Sequence, residues 1–184
     1  FVVGSWAARG ALTSIDALIE RDGVPKKEDW IDATWEECKW EGEMFALSPG
    51  HDIGHIGLWS LYWNKDLFAE AGLDPETSPK SWDELLEYAK KLHKEEGGEI
   101  EQLGFRYIWA GPVELYQFGW SNGGEFMESP RKATVNNPKN VEALEFMVEL
   151  YDELGGMENI GTFLSSFQGV EQDPFLTGLA AMQI

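Results

Sequence analysis

Short apolar runs alternate along this chain with amphipathic stretches that carry their own caps, and few architectures accept that alternation. Runs at Phe1–Val3, Met44–Leu47, Leu58–Trp63, Leu103–Trp109 and Leu179–Ile184 read as strands. Between them lie predicted helices. Ala11–Glu20 carries Leu12, Ile15, Leu18 and Ile19 at helical spacing and stops at Asp22-Gly23-Val24-Pro25. Asn64 caps Lys65–Ala71, which Gly72 ends. Ser81-Trp82-Asp83-Glu84 is a capping box, followed by an apolar stripe of Trp82, Leu85, Leu86, Ala89 and Leu92 and closed by Gly97-Gly98. Asn137 caps a further helix with Pro138 at its first position, and Val141, Leu144, Met147, Val148, Tyr151 and Leu154 are its expected buried face, with Gly155 at its end. Asp173-Pro174 opens another helical turn, which Gly178 breaks. Residues 110–124 read as an aromatic and small-residue stretch, and Lys132–Val135 as an edge-like segment. Strands alternating with helices predict an α/β fold. Both chain ends fall inside predicted strands, which leaves backbone groups to pair. The expectation is an excised middle portion of a longer protein, or a partner that completes the sheets.

The charge narrows the partners. The chain has 33 Asp and Glu against 14 Lys and Arg, a formal charge of −19. A nucleic-acid binder neutralises phosphates with clustered cations, and none cluster here. An anionic membrane surface repels such a chain. No apolar run approaches the roughly 20 residues of a membrane span, so no direct membrane insertion is expected. Cys38 is the only cysteine, which excludes an internal disulfide and a Cys-rich zinc module.

The chemistry-bearing residues leave several readings open. In His51-Asp52-x-x-His55, glycines at 50, 54 and 57 disfavour a helix, so a polar loop that hydrogen-bonds a ligand fits better than a metal site. Glu36, Glu37, Glu41 and Glu43 lie near Trp35 and Trp40, a pattern that also suits glycoside hydrolysis, although most acids in so acidic a chain are solvated. The nucleophile elbow and the phosphate loop are both absent, and no cofactor is expected. Nine tryptophans point first to packing. Trp6, Trp59, Trp109, Tyr116 and Trp120, however, fall near strand ends or loops, where open α/β sheets bind ligands. Flat rings suit the apolar face of a sugar, with Asp, Asn and His for its hydroxyls.

The segment LYWNKDLFAEAGLDPETSPKSWDELLEYAKKL, residues 61–92, closely resembles the extracellular solute-binding proteins of ABC importers, in the sugar-binding branch near maltose-binding protein. WEGEMFALS (40–48), GGEF (123–126), VNNPKNVEALEFMVELY (135–151) and DPFLTGLAAMQI (173–184) follow in the family's order. The resemblance implies a periplasmic-binding-protein-like fold of two α/β lobes, present only in part. Residues 1–48 would be the C-terminal part of the first lobe segment, 49–60 a hinge crossing and cleft loop, and 61–184 an incomplete second lobe. It implies ligand held in an interlobe cleft, with His51 and Asp52 as polar contacts. Trp109, Tyr116, Trp120 and Asn122 would come from the stretch that faces the cleft, and Trp6 from the opposite wall. SPGHDIGHIGLWS (48–60) departs from the shorter, plainer loop usual there.

The resemblance further implies no catalysis and no metal. The expected role is capture of a carbohydrate, an oligosaccharide above all, and its delivery to ABC permease subunits. The protein would be monomeric when full length and extracellular or periplasmic, lipid-anchored if an N-terminus beyond this sequence carries an anchor. The rivals are a glycoside-active enzyme and the same fold binding a polyamine or other cation, which the −19 charge attracts.

Overall fold

The computed structural model describes residues 3–48, 59–108, 112–129 and 131–184. These divide into two units, Phe1–Trp59 and Ser60–Ile184.

The first unit holds short helices, α1 (Val3–Ala7), α2 (Asp16–Asp22) and α3 (Asp32–Glu36), and a hairpin of β1 (Lys39–Trp40) and β2 (Glu43–Met44). The hairpin pairs Trp40 with Glu43 around Glu41 and Gly42, whose φ values are 49° and 90°. Two positive φ values in a two-residue loop match the strand twist, which is why Gly stands second. Trp35, Cys38 and Met44 make the core, with Ile15, Ile19, Trp30 and Ala46 against it. Asp16 joins α2 to the hairpin: its carboxylate accepts from the Ser14 hydroxyl at 2.6 Å and the Met44 N–H at 3.0 Å. The Ser14 bond first, then the Met44 bond, holds that carboxyl below its usual range. Burial pushes the Cys38 thiol up, so it stays protonated. Val3, expected in a strand, opens α1 instead; three apolar residues do not distinguish the two states. The helix expected from Ala11 begins at Asp16, because Ile15 spends its N–H on the Met44 carbonyl. The strand expected over Met44–Leu47 shortens to Glu43–Met44.

In the second unit the chain's last segment is the middle of the sheet. β8 (Met182–Gln183) pairs antiparallel with β3 (Tyr62–Trp63) on one side. On the other side Ala180 and Gln183 bridge in parallel to Leu103 and Arg106. The sequence signals at the caps act as read. Asn64 Oδ1 accepts from the Asp66 and Leu67 N–H groups at the start of α4 (Lys65–Glu70). The Ser81 hydroxyl accepts from Glu84 N at the start of α5 (Trp82–Leu92), and Glu84 reaches back one residue further than expected, to Lys80 N at 2.7 Å. Helix α5 packs so tightly on the sheet that a Cβ at Gly104 would lie 1.8 Å from the Ala89 carbonyl oxygen.

Gly97-Gly98 does not close α5. It is the turn of a hairpin, β4 (Lys94–Glu96) and β5 (Glu99–Gln102), with both glycines at positive φ. The helix ends at Leu92 because the buried Gln102 amide donates to the Leu92 carbonyl at 2.6 Å, taking a carbonyl that the helix cannot satisfy itself. Residues 112–121, read as an irregular stretch, form α6 (Pro112–Ser121). After it come β6 (Met127–Ser129), β7 (Lys132–Ala133), α7 (Pro138–Asp152) and α8 (Gly156–Ser165). Asn137 caps α7 as expected. The buried face of α7 matches the expected one at Met147, Tyr151 and Leu154 and differs elsewhere: Asn140, Ala143, Phe146 and Leu150 also point inward, while Val141, Leu144 and Val148 are 43%, 47% and 53% exposed. The helix has two apolar stripes, and the one with Phe146 wins because Trp82 stacks on that ring, centroids 4.7 Å apart.

One partly buried ion pair ties the sheet to the segment before β8. The Arg106 guanidinium donates to Asp173 Oδ2 at 2.5 Å and to Gln183 Oε1. Burial raises the Asp173 carboxyl, but the Arg106 bond and the Leu176 and Phe175 N–H groups outweigh it and hold the pKa below its usual value. A carboxylate lowered in this way stabilises the fold above its unfolded pKa, and that share is lost as pH falls through the folded value. Urea unfolding of Asp173→Asn is expected to show a loss of about 1–2 kcal/mol at neutral pH. It should also show a flatter acid limb below about pH 4 than the parent. An unchanged acid limb would remove the ion pair from the account.

Candidate ligand-binding site

A pocket lies beside the parallel segments of the second unit. Leu103 N donates to Leu179 O, Arg106 N to Met182 O and Ile108 N to Ile184 O, so the two segments run side by side over these residues. It has a volume of about 250 Å³ and is lined by Ile184, Leu61, the start of α5 and one face of α6. Its wall is apolar and aromatic, from Leu61, Trp82, Phe118 and Ile184. Its polar groups are uncharged apart from one lysine: Gln117, Ser121 and Ser81, with Lys80. No carboxylate lines it among the described residues. The Ser121 hydroxyl donates to Phe118 O at 2.9 Å, and its lone pairs remain for a ligand donor. An aromatic wall with a few uncharged hydrogen-bonding groups suits a polyol.

The sequence-predicted residues fall in three places. His51, Asp52 and Trp109 lie outside the described residues. Trp6 lies on α1 in the first unit, half exposed, on a helix packed over the Trp40 ring at Gly4. Tyr116, Trp120 and Asn122 lie together at the end of α6. Tyr116 and Trp120 stack with centroids 5.5 Å apart, and Phe126 meets both edge-on. Trp120 is 60% exposed, so the pair offers an open indole face. Asn122 is engaged structurally: its amide donates to Lys139 O and to Glu142 Oε2, tying α6 to α7. The pocket draws on neighbouring residues of α6, Gln117, Phe118 and Ser121, not on Tyr116 or Trp120. Sequence reading missed Gln117 and Ser121 because it missed α6, and it placed Trp82 only in a core stripe.

A buried polar cluster fixes the start of α6. Glu114 is 2% exposed and accepts from the Tyr151 hydroxyl of α7. Burial first, then the Glu114 charge, pushes the Tyr107 phenol up to about 12, and the same causes raise Tyr151. Both phenols therefore stay protonated at neutral pH.

A parallel central pair with flanking helices is an α/β fold of the periplasmic-binding-protein type. The chain belongs to the bacterial extracellular solute-binding protein family, whose model matches residues 1–184. Its structure is similar over 98% of its length to CpMnBP1 with mannobiose bound, with 28% identity and a TM-score of 0.76, covering 44% of that chain. It shares its fold, with a TM-score of 0.68 and 22% identity, with the ABC substrate-binding protein Lmo0181 from Listeria monocytogenes in complex with cycloalternan; 97% of this chain and 43% of that one are covered. In sequence it is 46% identical over 66 residues to the sn-glycerol-3-phosphate-binding periplasmic protein UgpB of Escherichia coli (strain K12), covering 36% of this chain and 14% of that protein. The chain thus spans less than half the length of these relatives.

Proposed function

We propose that the protein is the substrate-binding component of an ABC importer, which captures a carbohydrate, an oligosaccharide above all, and delivers it to a membrane permease. The observation that carries this reading is the pocket at Ile184, with an indole and a phenyl in its wall, Gln117 and Ser121 beside them, and no carboxylate lining it among the described residues. Glycoside hydrolysis needs a pair of carboxyl groups at the sugar, and a polyamine needs carboxylates against its cations. Neither rival is supported by that lining. Likeness to a mannobiose-bound protein supports the same reading. No chemical step on the sugar is proposed.

The domain reading is carried forward with it: residues 1–48 belong to the first lobe, 49–60 cross between lobes, and 61–184 form much of the second. The division after Trp59 supports that assignment. Tyr116 and Trp120 are proposed as a second aromatic contact on the same helix. His51, Asp52 and Trp109 are proposed as further contacts, with Trp6 from the first unit and Asn122 from the end of α6. The family's extracellular description supports action outside the cytoplasmic membrane, and a monomer is proposed for the full-length protein. Among the described residues no helix is long and apolar enough to cross a membrane.

A phosphate-ester ligand is the second reading, because of the likeness to UgpB. The charge of −19 opposes an anionic solute, and one lysine lines the pocket. Thermal unfolding with mannobiose, sn-glycerol-3-phosphate and spermidine separates the three ligand classes. A ligand at about 100 times its Kd adds about 2.7 kcal/mol of stability. Stabilisation by the disaccharide that hardly changes with salt is the expected result. Salt-sensitive stabilisation by either charged ligand alone would replace the sugar, and hydrolysis of a labelled oligosaccharide would reject capture altogether. Gln117→Ala and Trp120→Ala then report which face of α6 meets the sugar.

A further inference from the structure

Helix α6 presents its pocket residues on one face, and a buried carboxylate heads that face. Glu114, Gln117, Phe118 and Ser121 are three, four and seven positions apart, so they share one side of the helix over about 10 Å. Gln117, Phe118 and Ser121 line the pocket at Ile184. Glu114 stands one turn earlier, outside that lining, and accepts from the Tyr151 hydroxyl of α7. Both residues are buried. A buried carboxylate parted from its donors is strongly unfavourable, so this bond resists any turning of α6 on α7. A turn of about 20° would carry side-chain tips about 2 Å from their places. The helix sequence supplies little hold of its own, with Gly119 and three aromatic residues inside it. Phe118 carries the placement onward to the pocket wall, because it meets the Trp82 ring edge-on with centroids 5.7 Å apart.

We propose that Glu114, held by Tyr151, is a positioning residue of the pocket. It sets the rotation of α6 at which Gln117 and Ser121 face a ligand and Phe118 meets Trp82. Neither Glu114 nor Tyr151 touches the ligand in this account; both act through the helix. The two residues are buried within the second unit, so this chain forms the bond by itself. The effect on ligand affinity rests on the reading of the pocket given above, whereas the placement of α6 does not.

The test takes two readouts from the full-length protein. Fluorine NMR of protein grown with fluorotryptophan reports the Trp82 ring, its resonance assigned by its loss in Trp82→Phe. Calorimetric titration with mannobiose reports the pocket. Glu114→Ala is expected to move or broaden the Trp82 resonance and to weaken mannobiose binding at least about tenfold. Glu114→Gln keeps an oxygen for the Tyr151 hydroxyl, so it should return the resonance to the parent position and the affinity to within about threefold. Ile160→Ala is the control for a merely structural role. It opens a cavity at a buried site of α8 outside the pocket, so it should lower Tm yet leave both readouts as in the parent. If circular dichroism shows that Glu114→Ala misfolds, Tyr151→Phe takes its place, since it removes the donor and should move the resonance in the same way. An unmoved Trp82 resonance overturns the proposal, and so does Glu114→Gln behaving like the alanine variant. An equal shift in Ile160→Ala also overturns it, because the bond would then serve stability alone. If the parent binds mannobiose and Glu114→Ala binds it equally well, the link from α6 to the ligand is rejected. If the parent does not bind mannobiose, that ligand is rejected for the pocket, and the Trp82 resonance decides the placement of α6.

Discussion

Gly104→Ala is expected to unfold the second unit under conditions where the parent is stable. A Cβ at residue 104 would lie 1.8 Å from the Ala89 carbonyl oxygen and 2.7 Å from its carbon. Those atoms are helix backbone, so no rotamer change relieves the clash. Ala89 is itself fully buried on α5, and the helix would have to lift from the sheet. Lifting it would expose Leu85 and Leu92, which point to the same side. Overpacking of this kind costs at least about 3 kcal/mol where backbone must move. Gly161→Ala is the control. It lies in α8 with nothing within 4 Å of its added Cβ, and it should stabilise by about 0.5–1 kcal/mol. Urea denaturation of both variants checks the pair. If Gly104→Ala unfolds like the parent, the packing of α5 on the sheet is wrong as described.

Asn140→Ala should cost about 3 kcal/mol, because the two hydrogens of one buried amide are shared among three carbonyls. The Asn140 amide is buried and donates to Glu125 O, Thr134 O and Val135 O, at 3.0, 3.4 and 3.3 Å. It holds the turn after α6 and the β6–β7 hairpin against α7. The same residue dictates two glycines. A Cβ at Gly124 would lie 2.0 Å from Asn140 Oδ1, and one at Gly119 would lie 2.9 Å from that oxygen and 2.6 Å from Phe126 Cζ. Gly124→Ala alone should therefore destabilise strongly. In the double variant Gly124→Ala, Asn140→Ala the oxygen is gone, so the combined loss should fall below the sum of the single losses. Strict additivity in the denaturation cycle would show that the contact is not what constrains residue 124.

The parts legible in the sequence are those decided by local chemistry. Asn64, Ser81 and Asn137 act on N–H groups two or three residues away, and each caps the helix expected of it. The parts that were not legible depend on distant partners. Helix α6 has aromatic residues and glycine where strong helix formers would advertise it, and its place rests on Phe118 meeting Trp82 and Phe146. Helix α8 begins at Gly156 and contains Gly161, so its sequence reads as breakers. The buried stripe of α7 was chosen by an aromatic stack with α5, which no periodicity within α7 discloses. The same holds for the candidate site. Aromatic residues stood out by type, but Gln117 and Ser121 become candidates only once α6 is laid beside Ile184.

The position of Leu179–Ile184 bears on how the protein reaches its native state. These six residues bond to Leu103–Ile108 on one side and to Asn64 and β3 on the other, so the sheet closes over separations of roughly 75 to 120 positions. Up to residue 178, Leu103–Ile108 and β3 lack the segment that joins them. That segment is made after both of its partners, so the sheet closes only once the helices between them have been synthesised.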